Sequence, residues 1–296
     1  MAVRRKSNWY IYLIAFGLTM AFVVGIIFTF SWFLFPEKKN EASGLTSDGQ
    51  LADDFKPDAS HNFSVITMLS DRNSDIPGLF VMVAFNAVEN RIVLMPLSNG
   101  ISVPTTERTL PNVYAAQGGQ GVISAVADAT GITCDAYFCI DREGFVRLVS
   151  AYGNVEYNVP KTLIVNDDEE LDTFNAGMKM FSAESLFRYV YLADFGEDES
   201  YRFNMIGDVM SELINQNITY VDSDMLDSYF AIIKDSTDNS FTEALYSEKK
   251  AALLNTVTYG TVPAEYYIPY GEYTEDGGFV IAENSVTTIK QKCGVY

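Results

Sequence analysis

The stretch Phe63-Ser-Val-Ile-Thr-Met-Leu69 opens a series of short apolar runs that decides the fold class. Two similar runs follow it, Leu79-Phe-Val-Met-Val-Ala-Phe85 and Arg91-Ile-Val-Leu-Met-Pro-Leu97. Runs of this length that are rich in Val, Ile and Phe are typical of β-strands. The sequence therefore predicts three successive strands at the start of a folded domain.

Beyond residue 97 the apolar pattern alternates between the helical and the strand period. Apolar residues at 122, 123, 126 and 129 form a helix face that ends at Gly131. The other predicted elements are strands at 136–140, 145–151, 155–159 and 278–282 and helices at 183–192, 203–214 and 242–254. The acidic run 166–172 predicts a solvated loop. This alternation indicates an α/β domain.

A long segment without charged residues precedes the predicted domain. Residues 9–35 carry no charged side chain, and 27 helical residues reach roughly 40 Å, which exceeds the ~30 Å hydrocarbon core of a bilayer. A cleaved signal peptide is the alternative, but the run ends in bulky residues rather than a small-residue cleavage site. We therefore predict a cytoplasmic tail at 1–8, a transmembrane helix at 9–35, a flexible tether at 36–60 and an extracytoplasmic domain at 61–296. Basic residues before the span favour a cytoplasmic N-terminus and a location in the cell membrane.

Composition excludes several classes of function. The chain has 20 basic and 39 acidic residues, and the part beyond residue 40 has a formal charge of −23. Such a surface opposes binding to nucleic acid. His61 is the only histidine, which leaves little for a zinc site or a Ser-His catalytic pair. The three cysteines give no disulfide framework, so we predict buried free thiols.

Several strings in the middle of the domain resemble one family. They are Asn112-Val-Tyr-Ala-Ala-Gln-Gly-Gly119, Asp141-Arg-Glu-Gly-Phe-Val-Arg-Leu-Val149 and Tyr152-Gly-Asn-Val-Glu-Tyr-Asn-Val-Pro160. In order and spacing they are similar to the LytR-CpsA-Psr (LCP) family of membrane-anchored cell-envelope proteins. The resemblance implies a mixed central β-sheet flanked by helices. It also implies transfer of a glycopolymer from a polyprenyl-pyrophosphate carrier to the cell wall.

The chain departs from the family at the residues that the chemistry uses. Charge on two phosphates must be neutralised by arginines or Mg²⁺ during displacement. By the resemblance, Asp71 and Arg202 are kept, and Asp75 and Arg72 could assist as metal and phosphate ligands. The family's charged or polar positions that are replaced here fall on Gly78, Ser98, Asn99, Tyr191, Ala193 and Met205. Arg188 is the one arginine near the Tyr191 motif, and we expect it to face solvent.

These departures leave three functions open. The first is a noncatalytic envelope protein, a pseudoenzyme that still binds a polyprenyl lipid, a glycan, a cell-wall polymer or a protein partner. The second is an active, Mg²⁺-dependent glycopolymer phosphotransferase with rearranged cations. The third is a structural surface module, because a fold does not fix a function.

Overall fold

The computed structural model describes residues 44–46, 49–71, 74–101, 109–167, 170–196, 198–235, 238–260, 263–275 and 277–295. The chain divides into two units, Met1–Ser43 and Gly44–Tyr296, and the described residues belong to the second. The predicted cytoplasmic tail and transmembrane helix lie outside the described residues. Within the described ranges, no helix has the length and apolar character needed to cross a bilayer.

The secondary structure alternates along the chain. The strands are β1 (Phe63–Leu69), β2 (Leu79–Asn86), β3 (Arg91–Leu97), β4 (Ala136–Ile140), β5 (Val155–Val159), β6 (Leu163–Asp167), β7 (Glu170–Phe174), β8 (Gly177–Phe181), β9 (Asp238–Asn239), β10 (Ala264–Tyr266), β11 (Gly271–Tyr273) and β12 (Phe279–Ile281). The α-helices are α1 (Leu110–Thr130), α2 (Arg142–Tyr152), α3 (Ala183–Phe187), α4 (Glu199–Asn217), α5 (Ser223–Lys234), α6 (Glu243–Tyr259) and α7 (Glu283–Lys292). A π-helical turn, Arg188–Leu192, follows α3 directly.

The central sheet has six strands in the order β10-β3-β2-β1-β4-β9. β2 is antiparallel to β1 and β3, whereas β4 is parallel to β1 and β10 is parallel to β3. The other strands form antiparallel pairs, β5 with β8, β6 with β7 and β11 with β12. The predicted α/β class with a mixed central sheet is confirmed.

Two apolar layers cover the two faces of this sheet. Because successive side chains of a strand point to opposite faces, Ile66 and Met68 of β1 pack towards α1 and α7. Leu69 of β1 and Leu79 of β2 belong to the layer that contains α2, α3 and α4. Each layer is fully buried at its centre, so the sheet is a rigid platform between two helical layers. The three cysteines are buried and free, as the sequence predicts.

The predicted strand at 145–151 is wrong, because this segment lies in helix α2. The side chain of Asp141 accepts a hydrogen bond from the backbone N–H of Gly144 at 2.8 Å and caps the helix N-terminus. Phe145 and Val149, four residues apart, are the buried apolar residues of one helix face. The run of apolar residues suggested a strand, but the cap and the i, i+4 spacing decide for a helix.

The predicted solvated loop at 166–172 is also wrong, since it lies within the β6–β7 hairpin. Leu163 and Val165 of β6 are buried in the second apolar layer. Carboxylates at both sides of the turn, Asp167 and Asp172, form ion pairs with arginines of the domain. The acidic run is therefore anchored through its charges.

The segment expected to be a tether contributes to the second unit from Gly44 onwards. Leu45 and Leu51 form an isolated β-bridge. The ring of Phe55 packs edge-on against the ring of His61 at 5.3 Å between centroids. Several described residues between 44 and 60 thus make defined contacts within this unit.

Candidate functional site

The candidate site lies at one edge of the central sheet, by which we mean the edge formed by the ends of its strands. Leu69 at the end of β1 pairs with Leu79 at the start of β2, and Leu97 at the end of β3 pairs with Phe80. This register brings the segments that follow β1 and β3 to the same edge as the segment that precedes β2. Asp71, Gly78, Ser98 and Asn99 lie in these segments. In α/β sheets, ligands bind at the carboxyl ends of parallel strands such as β1 and β4.

Tyr191 lies where the resemblance implies a phosphate-binding arginine. It belongs to the π-helical turn, and π-turns occur often at functional sites. A Cβ atom on Gly78 would be 2.6 Å from its hydroxyl oxygen, so the two residues are in close contact. Burial, and then the charge of Asp71, raise the pKa of Tyr191, while Arg202 acts in the opposite direction. The phenol is therefore neutral at physiological pH and interacts with the charges of both Asp71 and Arg202.

Arg202 is the cation of this edge. It projects from α4, and its guanidinium forms neither a hydrogen bond nor an ion pair with the residues that the structure describes. Burial lowers its pKa, and Glu199 and Tyr191 partly offset that effect. A half-buried guanidinium without a hydrogen-bonded partner is costly, because its charge has lost part of its water and gained little in exchange. Such a group is available to an anionic ligand.

Ser98 and Asn99 use their donors within the protein. The Ser98 hydroxyl donates to Oε2 of Glu199 at 2.7 Å and accepts from the backbone N–H of Gly100 at 3.2 Å. The Nδ2 group of Asn99 donates to the carbonyl oxygen of Gly78 at 3.0 Å. The Ser98 hydroxyl proton is thus committed to a carboxylate. Neither residue supplies the positive charge that an arginine would bring.

Three other predicted site residues, all among those that the structure describes, do not join the candidate site. Ala193 is buried and forms a β-bridge with Val165 of β6. Met205 packs in the second apolar layer, with its sulfur 3.8 Å from the Tyr157 hydroxyl. Asp75 is exposed in the loop between β1 and β2. Arg72 lies outside the described residues.

Arg188 is not a solvent-facing residue, so this prediction is wrong. Its Nη1 atom donates to Oδ2 of Asp172 at 2.7 Å, and its Nε atom lies 3.5 Å from Oδ2 of Asp167. Asp167 also accepts from Nη2 of Arg142 at 2.9 Å, and Glu184 completes the group through a hydrogen bond from Arg142. We call these five residues the ionic cluster. It joins α2, α3, the π-helical turn and the β6–β7 hairpin.

An apolar cavity of about 100 Å³ lies between the sheet and α4. Its walls come from β1, β2 and β3 on one side and from α4, α2 and the π-helical turn on the other. Val81, Leu94, Val190, Ile206 and Met210 are among the residues that line it. Two of these residues connect the cavity to the candidate site. Val190 precedes Tyr191 in the π-helical turn, and Ile206 lies one turn after Arg202 in α4.

Two residues of this edge lack any signal in the sequence motifs. Glu199 is the first residue of α4, where a carboxylate is favoured by the helix dipole. Tyr273, at the end of β11, donates a hydrogen bond to the same Oε2 atom of Glu199 that Ser98 uses. They come from distant parts of the chain and meet only in the folded domain. The sequence motifs did not predict that the carboxylate of Glu199 would contact Ser98, where the resemblance implies a phosphate-binding arginine.

The fold and the site together define an α/β protein with a ligand site at one sheet edge and an apolar cavity beneath it. Residues 93–255 match the LytR_cpsA_psr family over more than half of the chain. The chain therefore belongs to the LytR-CpsA-Psr family. No curated protein sequence matches it.

Solved structures support the same assignment. A transcription-regulator protein from Eubacterium siraeum is 26% identical, with a TM-score of 0.75, and the match covers 82% of this chain and 95% of that chain. TagV of B. subtilis has the same fold at 13% identity, a TM-score of 0.61 and coverages of 79% and 98%. TagT bound to LIIa-WTA has 15% identity, a TM-score of 0.61 and coverages of 85% and 99%. The last two, because of their low identity, establish similarity of fold.

Proposed function

We propose that this chain is a noncatalytic, membrane-anchored protein of bacterial cell-envelope biogenesis that binds a polyprenyl-linked glycopolymer outside the membrane. The observation that carries the proposal is Tyr191, a neutral phenol packed against Gly78 where a phosphate-binding arginine is expected. Ser98, at a second such position, donates a hydrogen bond to Glu199.

The loss of cations argues against catalysis on physical grounds. Displacement at a pyrophosphate spreads negative charge over two phosphate groups, and bidentate arginines or metal ions must neutralise it. A phenol or hydroxyl supplies no charge. One lost donor of this kind costs roughly 10²–10³ in rate, so several losses together would remove useful turnover.

Binding, in contrast, requires less of the site. Arg202 can still pair with one phosphate group, because it has no ion-pair partner among the described residues. The apolar cavity between the sheet and α4 suits the first part of a prenyl chain. Its volume of about 100 Å³ is smaller than the ~150 Å³ cavity that accepts benzene in another protein. A longer lipid would therefore require α4 or the π-helical turn to move outwards.

The relatives suggest the class of ligand. TagT, which has this fold, is bound to LIIa-WTA in its solved structure. The predicted transmembrane helix would hold the domain beside the membrane, where a lipid-linked polymer presents its phosphates. The chain has a low isoelectric point near 4.3, which gives no support to a role in binding DNA.

The second candidate function is an active phosphotransferase, and Arg202 is the observation that favours it. Mg²⁺ would supply the missing charge neutralisation in that case. Asp71 lies beside Tyr191 and could hold one face of the ion, but no group of three or more metal-binding side chains occurs in the described residues. Such a Mg²⁺ would depend mainly on substrate phosphates and water.

Two measurements test the proposal on the full-length protein purified in detergent. Mass spectrometry of the purified protein should detect a co-purifying polyprenyl species. Incubation with a polyprenyl-pyrophosphate glycan, a cell-wall acceptor and Mg²⁺ should give no turnover. Turnover that disappears in Arg202→Ala would establish the phosphotransferase instead.

A cavity variant supplies the control for lipid binding. Val81→Phe places a larger side chain in the apolar cavity, whereas Val88→Phe changes an exposed valine elsewhere. We expect Val81→Phe to lose the polyprenyl species and Val88→Phe to keep it. Absence of lipid from the unmodified protein would favour the structural surface module.

A further inference from the structure

A second cavity, of about 420 Å³, adjoins the candidate site at Ser98 and Glu199. Its walls are formed by the N-terminus of α4, the end of β3 and the β11–β12 hairpin. Binding sites for small molecules commonly measure about 300–1,000 Å³, and this cavity falls in that range. We call it the acidic pocket, defined by Ser98, Asp198, Glu199, Tyr270 and Tyr273.

The charge of the acidic pocket is unfavourable for phosphate. Asp198 and Glu199 line it, and neither lysine nor arginine is among its described lining residues. Two carboxylates in a chain of formal charge −19 repel an anion at short range. The pocket therefore selects against the pyrophosphate group that the neighbouring Arg202 could bind.

The hydrogen bonds of Glu199 leave one strong acceptor free. Ser98 and Tyr273 both donate to Oε2, and Oε1 accepts no hydrogen bond from the described part of the chain. The two donors fix the carboxylate so that Oε1 can face a ligand. A fixed ionised acceptor forms stronger hydrogen bonds with ligand hydroxyls than a neutral one does.

Aromatic rings supply the apolar side of the pocket. Tyr270 and Tyr273 are 48% and 59% exposed, and Phe203 and Phe279 lie deeper. Tyrosine offers a flat apolar face together with a polar tip. A sugar ring has the matching chemistry, with C–H groups on its faces and hydroxyl groups around its edge.

We propose that the acidic pocket binds a phosphate-free sugar residue of a glycan, stacked on Tyr270 or Tyr273 and hydrogen-bonded to Glu199. The inference rests on the proposed function, because it names the part of the glycopolymer that this site recognises. It assigns phosphate and sugar to adjacent places: the phosphate contacts Arg202 and the sugar contacts Glu199.

The test uses full-length protein in detergent on a glycan array that carries neutral and phosphorylated bacterial glycans, and then titration calorimetry with the best neutral oligosaccharide. We expect a neutral glycan to bind. Glu199→Gln should weaken that binding roughly tenfold, since one hydrogen bond to a charged group is lost. Tyr270→Ala should weaken it as well. Tyr220→Ala, which removes an exposed tyrosine outside the pocket, is the matched control and should have no effect.

The outcomes separate this inference from the proposed function. Binding restricted to phosphorylated glycans or to amines, or the absence of any neutral ligand, would overturn it. The same conclusion follows if neutral binding survives both Glu199→Gln and Tyr270→Ala. If the polyprenyl species still co-purifies in those cases, the proposed function stands and the sugar site alone fails.

Discussion

The ionic cluster and the candidate site use arginine in opposite ways. In the ionic cluster, Arg142 and Arg188 contact Asp167, Asp172 and Glu184 and hold the hairpin against the helices. At the candidate site, Arg202 has no ion-pair partner among the described residues, and we infer from the resemblance that Tyr191 and Ser98 occupy positions where the family has arginines. The arginines that form ion pairs are therefore those that stabilise the fold, although the Nε and Nη2 atoms of Arg188 have no hydrogen-bond partner among the described residues. From the resemblance we infer that the cations used for phosphate chemistry are the ones replaced.

The largest expected effect comes from breaking the ionic cluster at Arg142. Its side chain is only 9% exposed, and burial opposes its charged form, but hydrogen bonds to Asp167 and Glu184 prevail and raise its pKa. Removing Arg142 leaves Glu184 without an ion-pair partner among the described residues and Asp167 with only the longer contact to Arg188, and breaking a buried pair costs about 3–5 kcal/mol. We expect Arg142→Met to lower the free energy of unfolding by about 3 kcal/mol in a urea titration.

Arg147→Met is the matched control for that measurement. Arg147 lies on the same helix, α2, but is exposed. Surface substitutions away from special features usually change stability by about 0.5 kcal/mol or less. Equal losses in the two variants would mean that the ionic cluster contributes nothing specific.

The second prediction reverses the change at the candidate site. Tyr191→Arg should restore a cation beside Asp71 and Arg202, and one charge-assisted hydrogen bond corresponds to roughly a tenfold gain in affinity for pyrophosphate. Isothermal titration calorimetry with inorganic pyrophosphate measures this gain. Tyr191→Phe keeps the ring without a charge, so it should bind pyrophosphate no better than the unmodified protein. If both variants gain equally, the phenol hydroxyl is the obstacle and not the missing charge.

The sequence predicted elements that carry a local signal and missed those that depend on contacts made only in the folded domain. Strands β1 and β3 were predicted with their observed bounds, because their apolar runs carry a local signal. Helix α2 was mistaken for a strand, since its Asp141 cap and four-residue spacing weighed less than its apolar content. The β6–β7 hairpin was missed because its carboxylates look solvated until Arg142 and Arg188 are brought to them by the fold.

The candidate site was predictable to a similar degree. The family pattern pointed to Asp71, Tyr191 and Arg202, and the fold brings these three together. Glu199 and Tyr273 were missed, because their roles depend on contacts between distant residues: Glu199 accepts hydrogen bonds from Ser98, 101 residues away, and from Tyr273, 74 residues away. Pairing between distant segments depends on the sheet register and the helix packing, and a local pattern cannot supply it.

A third prediction compares the unpaired cation with the paired one. Arg202→Met should leave the free energy of unfolding unchanged or raise it by up to about 1 kcal/mol, because it removes a desolvated charge that gains little from its surroundings. The urea titration used for Arg142→Met measures it. A loss as large as that of Arg142→Met would show that Arg202 has a structural partner of equal weight. The comparison between the two regions would then fail.

The smallest expected effect concerns the pH dependence of the ionic cluster. The backbone N–H of Thr173 and the Arg188 guanidinium lower the pKa of Asp172 below its usual value of 3.8, although burial acts in the opposite direction. A carboxyl group whose pKa is lower in the folded protein contributes its stability above the unfolded pKa and loses it as the pH falls through the folded pKa. Because the Asp172 side chain is 46% exposed, solvent screens the pair and the contribution is about 0.5 kcal/mol.

Asp172→Asn should therefore reduce stability near neutral pH and make less difference once the pH falls below the lowered pKa. Urea titrations near neutral pH and below the lowered pKa of Asp172 test this prediction. Asp54→Asn, which changes an exposed carboxylate outside the ionic cluster, is the control. A difference between Asp172→Asn and the unmodified protein that does not shrink on acidification would mean that the Arg188 contact depends on packing of its guanidinium and not on the charge of Asp172.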